Sequence, residues 1–277
     1  MRVSIATVAV CMLAVSLMPL PAGAQCINPA LPIQQLDGTT WAFRTSDLAD
    51  SAVGIFTAKM VPNGSFTVGR LSITENYFTQ YDSENNQATG IYTIDPDCSG
   101  GTLVFTGATY ALSYRFVFAA GGTQMFLVAT NDAVRSNLIG IPGVGDYGKA
   151  VKLPGPPTCG GADPLSVFAG KWSFVSHDVL TAENGFLTAS VSGNRGLLNV
   201  LVNVASGLSS LSGPGLMQQG AYTMSADCSG GTLQLKAGVT GTFAFVFASP
   251  NEIFMAGLST YPGLNFSVGS IGTAVRY

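Results

Sequence analysis

The cysteines and the single histidine are the side chains of this chain best suited to covalent or metal chemistry. Cys11 lies in an apolar N-terminal run, which leaves Cys26, Cys98, Cys159 and Cys228. Four cysteines allow three disulfide pairings, and a zinc site is the other use of such a set. The zinc alternative lacks the CxxC spacing and the histidines that these sites use. Disulfides are therefore favoured, and no metal is expected.

An internal repeat selects one of the three disulfide pairings. The stretch 90–105 recurs at 220–235, and residues 97–103 are identical to residues 227–233. Cys26 precedes Cys98 by 72 residues, and Cys159 precedes Cys228 by 69 residues. We therefore predict the disulfides Cys26–Cys98 and Cys159–Cys228, one in each half of the chain. Such bonds persist in an oxidising compartment.

Carboxylates and the histidine are the remaining candidates for acid–base chemistry. His177 precedes Asp178, and such a pair could act as a general base with its orienting group. Adjacent residues of a strand point to opposite faces, which favours a surface histidine instead. Asp97 and Asp227 recur beside half-cystines in turns, where a carboxylate accepts hydrogen bonds from the local backbone. A structural role is favoured for both, and no catalytic residue is predicted.

Two rows of aromatic residues could either line a ligand cavity or fill a closed core. The rows are centred on Phe116 and Phe245, which lie at equivalent places in the two halves. Aromatic side chains bury large areas in either role, so both alternatives stay open. The ligand-lining candidates are Tyr92, Tyr114, Phe116 and Phe118 in the first half and Tyr222, Phe243, Phe245 and Phe247 in the second half.

The elements that must position these side chains are short strands. Trp172 matches Trp41 at an offset of 131 residues, and residues 245–248 match residues 116–119. Each half offers eight or nine alternating segments separated by close turns, which favours antiparallel neighbours. About eight strands close a barrel whose interior is filled or holds one small ligand. We predict an all-β fold of two tandem antiparallel meander β-barrels, with a two-sheet sandwich as the competing fold.

The chain divides by composition into four segments. Arg2, an apolar run and the small residues 22–24 are typical of a signal peptide over residues 1–24. A retained N-terminal anchor is the alternative. Prolines at 154, 156 and 157 predict a stiff linker over residues 154–158. Barrel module 1 is then expected at residues 25–153 and barrel module 2 at residues 159–277.

The charge and the hydropathy exclude several classes of partner. The chain has 12 Lys and Arg against 15 Asp and Glu, a net formal charge of −3. This balance argues against nucleic acid or an anionic membrane as a partner. Beyond the N-terminal run no apolar stretch approaches about 20 residues, so no membrane span is expected in the mature chain. We expect an exported protein, periplasmic or extracellular, without a cofactor.

The start of each module resembles the lipocalins. Gly170-Lys-Trp172 opens the first strand of module 2, and Gly38-Thr-Thr-Trp41 does so in module 1 with one extra residue. This is similar to the Gly-x-Trp motif on the first strand of a lipocalin. The resemblance implies that Trp41 and Trp172 close the barrel ends, and that the basic residues Lys152 and Arg276 pack over them.

A second resemblance covers both modules. The order Gly-x-Phe/Leu-Thr-Ala, Asn-Gly, Gly-x-Tyr-Thr and Asp-Cys-Ser-Gly is similar to a repeat of exported bacterial proteins without an assigned role. Module 2 departs from it where Asn194 is followed by Arg195. The resemblance implies a calycin-like barrel and no established activity.

The expected function is binding. We expect an exported, non-catalytic protein that binds a small apolar ligand in one or both barrels. A structural or interaction module of the bacterial cell exterior is the alternative, and a cyclase-like enzyme of the calycin kind is a third. The ligand, the partner and the oligomeric state are not predicted.

Overall fold

The structure is a computed structural model, and it describes residues 26–46, 51–61, 68–78, 83–84, 89–106, 111–131, 147–155, 157–177, 181–206, 213–235, 241–260 and 267–277. The predicted signal peptide and Asp178 lie outside the described residues. Nearly all of the described chain is β-structure. Among the described residues, no helix is both long and apolar enough to cross a bilayer.

Barrel 1 is a closed ring of eight antiparallel strands with one short strand added. In chain order its strands are β1 (Thr40–Ser46), β2 (Ser51–Met60), β3 (Gly69–Phe78), β4 (Ser83–Glu84), β5 (Thr89–Ile94), β6 (Gly100–Thr106), β7 (Ala111–Ala119), β8 (Gln124–Asn131) and β9 (Tyr147–Leu153). Strand β1 pairs with both β2 and β9, and β2 pairs with β3, which closes the ring. Strand β4 pairs with β3.

Barrel 2 repeats this order, and its described residues form no added strand. Its strands are β10 (Gly170–His177), β11 (Thr181–Ser192), β12 (Arg195–Ser206), β13 (Gly213–Met224), β14 (Gly230–Leu235), β15 (Gly241–Ser249), β16 (Glu252–Thr260) and β17 (Ser267–Arg276). Each strand pairs with the next, and β17 pairs with β10. The predicted fold class of two tandem antiparallel barrels is confirmed, and the competing sandwich is not formed.

A short helical segment precedes the first strand of each barrel. A 3-10 helix at Pro32–Gln35 precedes β1, and α1 at Pro164–Phe168 precedes β10. Both begin with proline, whose fixed φ suits the first helical position. The helical segments carry the buried side chains Ile33 and Phe168 into the barrel ends.

One disulfide per barrel ties the chain before the helical segment to the turn between two strands. The bonds are Cys26–Cys98 and Cys159–Cys228. Cys98 and Cys228 adopt left-handed backbone, with φ of 56° and 61°. This conformation is unfavourable for a residue with a side chain, and the local hydrogen bonds of the turn hold it in place. In the chain-entropy model, closing a loop of this size stabilises the fold by roughly 4 kcal/mol.

The turn around each half-cystine explains the identical sequence of the two copies. The carboxylate of Asp97 accepts hydrogen bonds from the Ser99 backbone N–H at 3.0 Å and from the Ser99 hydroxyl at 2.8 Å. These bonds lower the pKa of Asp97. A Cβ at Gly100 would overlap the carbonyl oxygen of Phe116. Asp227, Ser229 and Gly230 repeat this arrangement, which matches the structural role favoured from the sequence.

The two barrels contact each other through their outer surfaces. Phe254 is fully buried there, and the Arg44 guanidinium carbon lies 5.3 Å from the centre of its ring. The Ser51 hydroxyl donates to the Gly257 carbonyl at 3.1 Å. Burial lowers the pKa of Arg44, while Glu252 and Tyr147 act in the opposite direction. The apolar contact consists of Ala42, Val53, Ile55 and Leu153 from barrel 1 and Ala244, Val246, Ala248, Phe254 and Ala256 from barrel 2.

We predict that Phe254→Ala destabilises the protein by about 3 kcal/mol, because it leaves a cavity at this contact. Phe126 occupies the equivalent position on the outside of barrel 1 and is half-exposed. Phe126→Ala is the matched control, and its cost should stay within about 0.5 kcal/mol. Urea unfolding monitored by tryptophan fluorescence measures both values. Equal losses for the two variants would contradict a stabilising contact between the barrels.

Candidate functional site

Barrel 2 contains an apolar cavity in its interior. Its volume is about 30 Å³. Aliphatic side chains dominate its wall, and the only charged group in the lining is Glu183. The lining residues are Phe174, Ser176, Glu183, Leu187, Leu198, Val200, Leu233, Leu235, Phe243 and Met255.

The same region of barrel 1 is filled by aromatic rings. Phe105 lies at the position of Leu235, since each pairs with the glycine that opens the repeated stretch. Its ring centre lies 5.4 Å from Phe43, 5.8 Å from Phe56 and 5.8 Å from Tyr114. The four rings are buried together in one core cluster. Barrel 1 is therefore a packed barrel at the place where barrel 2 has its cavity.

Two leucines account for most of this difference. Phe56 pairs with Trp41, and Leu187 pairs with Trp172, so the two positions are equivalent. Barrel 2 has a leucine at this position and a second leucine at the position of Phe105. It therefore lacks two of the rings that fill barrel 1. Close-packed interiors leave few voids larger than a water molecule, so the retained cavity is a distinctive feature of this barrel.

Two polar side chains stand beside the cavity. The Ser176 hydroxyl donates to the Glu183 carboxylate at 3.3 Å, and both groups line the cavity. The equivalent pair in barrel 1 is Thr45 and Ala52, which carries no charge. At this strand pair, an acid is present in barrel 2 and absent from barrel 1.

Gln218 adds a hydrogen-bond acceptor to the interior of barrel 2. It pairs with Val200, a residue of the cavity wall, and only 4% of its surface is exposed. Its Oε1 has no hydrogen-bond partner among the residues that the structure describes. A buried polar atom without a partner costs roughly 1–3 kcal/mol. Gln218 lies beside the cavity wall and is not one of the residues that line the cavity.

The opposite end of barrel 2 is closed by an aromatic and cationic plug. Trp172 is buried, and Phe168 stacks on it with ring centres 5.0 Å apart. The Arg276 guanidinium carbon lies 4.5 Å from the centre of the Trp172 ring, and Arg276 Nη2 donates to the Val167 carbonyl at 2.5 Å. Burial lowers the pKa of Arg276.

Barrel 1 closes the same end with a different set of contacts. Trp41 is buried, its Nε1 donates to the Thr39 hydroxyl at 2.8 Å, and Phe118 lies 6.3 Å from it. Lys152 pairs with Trp41 in register but is exposed. The two basic residues implied by the lipocalin resemblance thus lie at equivalent positions and differ in their burial.

A tyrosine in each barrel ties the strands to the helical segment before the first strand. The Tyr92 hydroxyl donates to the Ile33 carbonyl at 3.3 Å, and the Tyr222 hydroxyl donates to the Leu165 carbonyl at 2.8 Å. Burial raises the pKa of both tyrosines, with smaller contributions from nearby aspartates. These hydroxyls therefore act as anchors in the closed end.

The aromatic candidates from the sequence fall into two groups. Phe243 lines the cavity of barrel 2. The others pack in the barrel cores, where all but the partly buried Phe118 are buried. They are Tyr92, Tyr114, Phe116 and Phe118 in barrel 1 and Tyr222, Phe245 and Phe247 in barrel 2. Sequence reasoning missed Leu187, Leu235 and Gln218, although a comparison of the two copies would have shown leucine opposite phenylalanine at the first two positions.

The outside of barrel 1 carries a broader concave surface. It lies across β2, β3, β5 and β6 and has a volume of about 790 Å³. The exposed side chains of Lys59 and Arg70 lie on it, among hydroxyl groups. No buried polar side chain without a partner points into it among the described residues, so the interior of barrel 2 is the better candidate site.

Residues typical of catalysis do not gather at either place. His177 is exposed at the end of β10. Within the described segments, no group of three or more His, Cys, Asp and Glu side chains could hold a metal ion.

Comparisons with known proteins define no family for this chain. No family model matches it, and no curated protein matches it. A de novo designed fluorescence-activating β-barrel is 13% identical, with a TM-score of 0.33, over 42% of this chain and 99% of its own. An S-type phycobiliprotein lyase from Guillardia theta is 13% identical, with a TM-score of 0.29, over 41% of this chain and 90% of its own. A protein of unknown function of the DUF3598 family from Nostoc punctiforme is 10% identical, with a TM-score of 0.26, over 90% of this chain and 99% of its own. At these scores the similarities carry no argument about the site.

We predict that Arg276→Ala destabilises the protein by about 2 kcal/mol, since it removes a cation–π contact and a charged hydrogen bond. Lys152→Ala is the matched change in barrel 1. Because Lys152 is exposed, this control should cost less than about 0.5 kcal/mol. Urea unfolding of the two variants beside the parent protein checks the difference, and a loss as large for Lys152→Ala would contradict it.

Proposed function

We propose that barrel 2 binds a small ligand with an apolar body and a hydrogen-bond donor at one end, and that barrel 1 is a packed scaffold. The observation that carries this proposal is the cavity in barrel 2 at a place where barrel 1 is filled by aromatic rings. Two barrels of one fold thus differ at the place where small barrels bind ligands. No catalytic step is proposed.

The volume limits the size of the ligand. Pockets for drug-sized molecules measure about 300–1,000 Å³, whereas this cavity measures about 30 Å³. It therefore suits a short alkyl group, and a longer molecule would enter only with its tip. The aliphatic wall from Leu187 to Met255 supports an alkyl group in preference to a polar ring.

The polar groups favour a donor at the ligand's head. The Glu183 carboxylate lines the cavity and supplies an acceptor and negative charge there. An alcohol or an amine would complement these groups. A carboxylate head would meet the like charge of Glu183 and offer it no proton. We therefore favour a short aliphatic alcohol or amine over a fatty acid.

The proposed setting is outside the cytoplasm. Two disulfides indicate an oxidising compartment. This proposal also includes a signal peptide at residues 1–24, modules at residues 25–153 and 159–277, and a linker at residues 154–158. Whether the protein remains periplasmic or leaves the cell is set by its host.

Titration with n-hexanol, n-hexylamine and hexanoate tests the proposal on the disulfide-bonded protein. The readout is the methyl resonances of Leu187, Leu198, Val200 and Leu233. We expect saturable shifts with the alcohol and the amine, and no saturation with the acid. Leu235→Phe introduces the residue of barrel 1 and should weaken binding about tenfold or more, since overpacking opposes the ligand.

The reverse change, Phe105→Leu, is the matched control. It opens space in barrel 1 and should leave the affinity for the alcohol and the amine within about twofold of the parent value, although it lowers stability by about 1–3 kcal/mol. Equal binding by Leu235→Phe would show that the cavity is not the site. Absence of saturation with all three compounds would reject the binding function.

A further inference from the structure

The contact between the two barrels joins two different outer faces. Face A is the outer surface of the first, second and last strands of a barrel, and face B is the outer surface of the sixth and seventh main-ring strands. Within the chain, face A of barrel 1 (β1, β2 and β9) packs on face B of barrel 2 (β15 and β16). The main contact does not involve β7 and β8 of barrel 1 or β10 and β11 of barrel 2, whereas β17, the last strand of face A of barrel 2, also contacts β1 and β2. The free part of face A of barrel 2 is therefore the outer surface of β10, β11 and the C-terminal end of β17, where Val275 is exposed.

The strand registers identify the free copy of face B. In barrel 2, Val246 pairs with Gly230 on one neighbouring strand and with Phe254 on the other. Val117 lies between Gly100 and Phe126 in the same way in barrel 1. Phe126 is thus the counterpart of Phe254. Phe254 is fully buried, whereas Phe126 is 51% exposed and its neighbours Val117 and Val128 are also exposed.

The free copy of face A is found by the same comparison. Ala42 lies between Ile55 and Val151 in barrel 1. Ser173 lies between Phe186 and Val275 in barrel 2. Phe186 is therefore the counterpart of Ile55. Ile55 is fully buried, whereas Phe186 is 51% exposed, and the exposed apolar residues around it are Val175, Val275 and Tyr277.

We propose that the partner of these exposed faces is a second copy of this chain. Face A of barrel 2 in one copy would bind face B of barrel 1 in the next copy, with the geometry that already joins the barrels inside the chain. Contiguous apolar surface on a soluble protein marks interaction sites, and here the complementary surface is present on the same molecule. The contact is head-to-tail, so it propagates from copy to copy.

The substitutions between the two copies predict a weaker contact than the intrachain one. Val175 replaces Arg44, which removes the cation over the phenylalanine ring. Asn184 replaces the buried Val53, and the exposed Arg115 replaces the buried Ala244. The short linker also favours the intrachain contact, because it raises the effective concentration of one barrel at the surface of the other. Association between copies should therefore depend on protein concentration.

Sedimentation velocity over a range of protein concentrations tests this proposal on the disulfide-bonded protein. Phe126→Asp places a charge in face B of barrel 1, and Phe186→Asp places a charge in face A of barrel 2. Each charge should prevent binding through that face. The parent protein should form species larger than a monomer as the concentration rises. Each variant alone should stay monomeric, because each retains only one of the two faces. An equimolar mixture of the two should form dimers and stop there, because only one complementary pair of faces remains.

Ile91→Asp is the matched control, since Ile91 is an exposed apolar residue of β5 outside both faces. It should associate as the parent does. Near-UV circular dichroism confirms that the variants fold, and Phe126→Ser and Phe186→Ser replace any that do not. Dimers of either variant alone would overturn the proposal in favour of a self-complementary patch. A parent protein that stays monomeric but co-sediments with phosphatidylglycerol vesicles would overturn it in favour of a lipid surface.

This inference is independent of ligand binding, because it concerns the outside of the barrels. Loss of self-association in Phe126→Asp with unchanged hexanol binding would separate the two properties. Failure of ligand binding in the parent protein would leave the sedimentation results unaffected.

Discussion

Closure of each barrel, by pairing of its first and last strands, fixes the position of every functional side chain. In barrel 2 the register of β10 with β17 sets Trp172 opposite Arg276, which builds the plug at one end. The same register sets which residues face inward, because strand side chains alternate between faces. A shift of one residue would exchange the interior with the exterior. The cavity, the plug and the two outer faces are thus consequences of one set of pairings.

The duplicated barrels show how a fixed fold acquires different interiors. Phe56 and Phe105 fill barrel 1, and Leu187 and Leu235 leave space at the same positions of barrel 2. A phenylalanine in place of leucine adds a ring to the interior, and at Phe56 the pairing of β2 with β3 also shifts its register. The order of the eight main strands, the disulfide and the capped turn are the same in both barrels, so the leucines at these two positions contribute directly to the difference in the interior. Duplication therefore allows one barrel to supply packing while the other retains a cavity.

Much of the fold could be predicted from the sequence, but the site could be predicted only in part. The repeated turn around Cys98 and Cys228 predicted two equivalent modules and one disulfide in each, because turn residues act locally. The contact between the barrels was missed. The unbroken apolar run from Phe243 to Ala248 is typical of a strand buried on both faces, whereas module 1 has Arg115 in the matching segment. The cavity depends on which side chain opposes which, and strand register is not written in any single segment.

When the two copies of a tandem repeat meet through different faces, much of the second copy of each face lies outside the contact. Had the barrels met through the same face of each, the contact would have been symmetric and complete, and no complementary surface would remain. Here the buried Phe254 and the exposed Phe126 are the same position of the module in two settings. Burial of the first accounts for its apolar character. Phe126 is exposed at that position, and Phe186 lies on the outer surface of barrel 2 that corresponds to the face packed on Phe254.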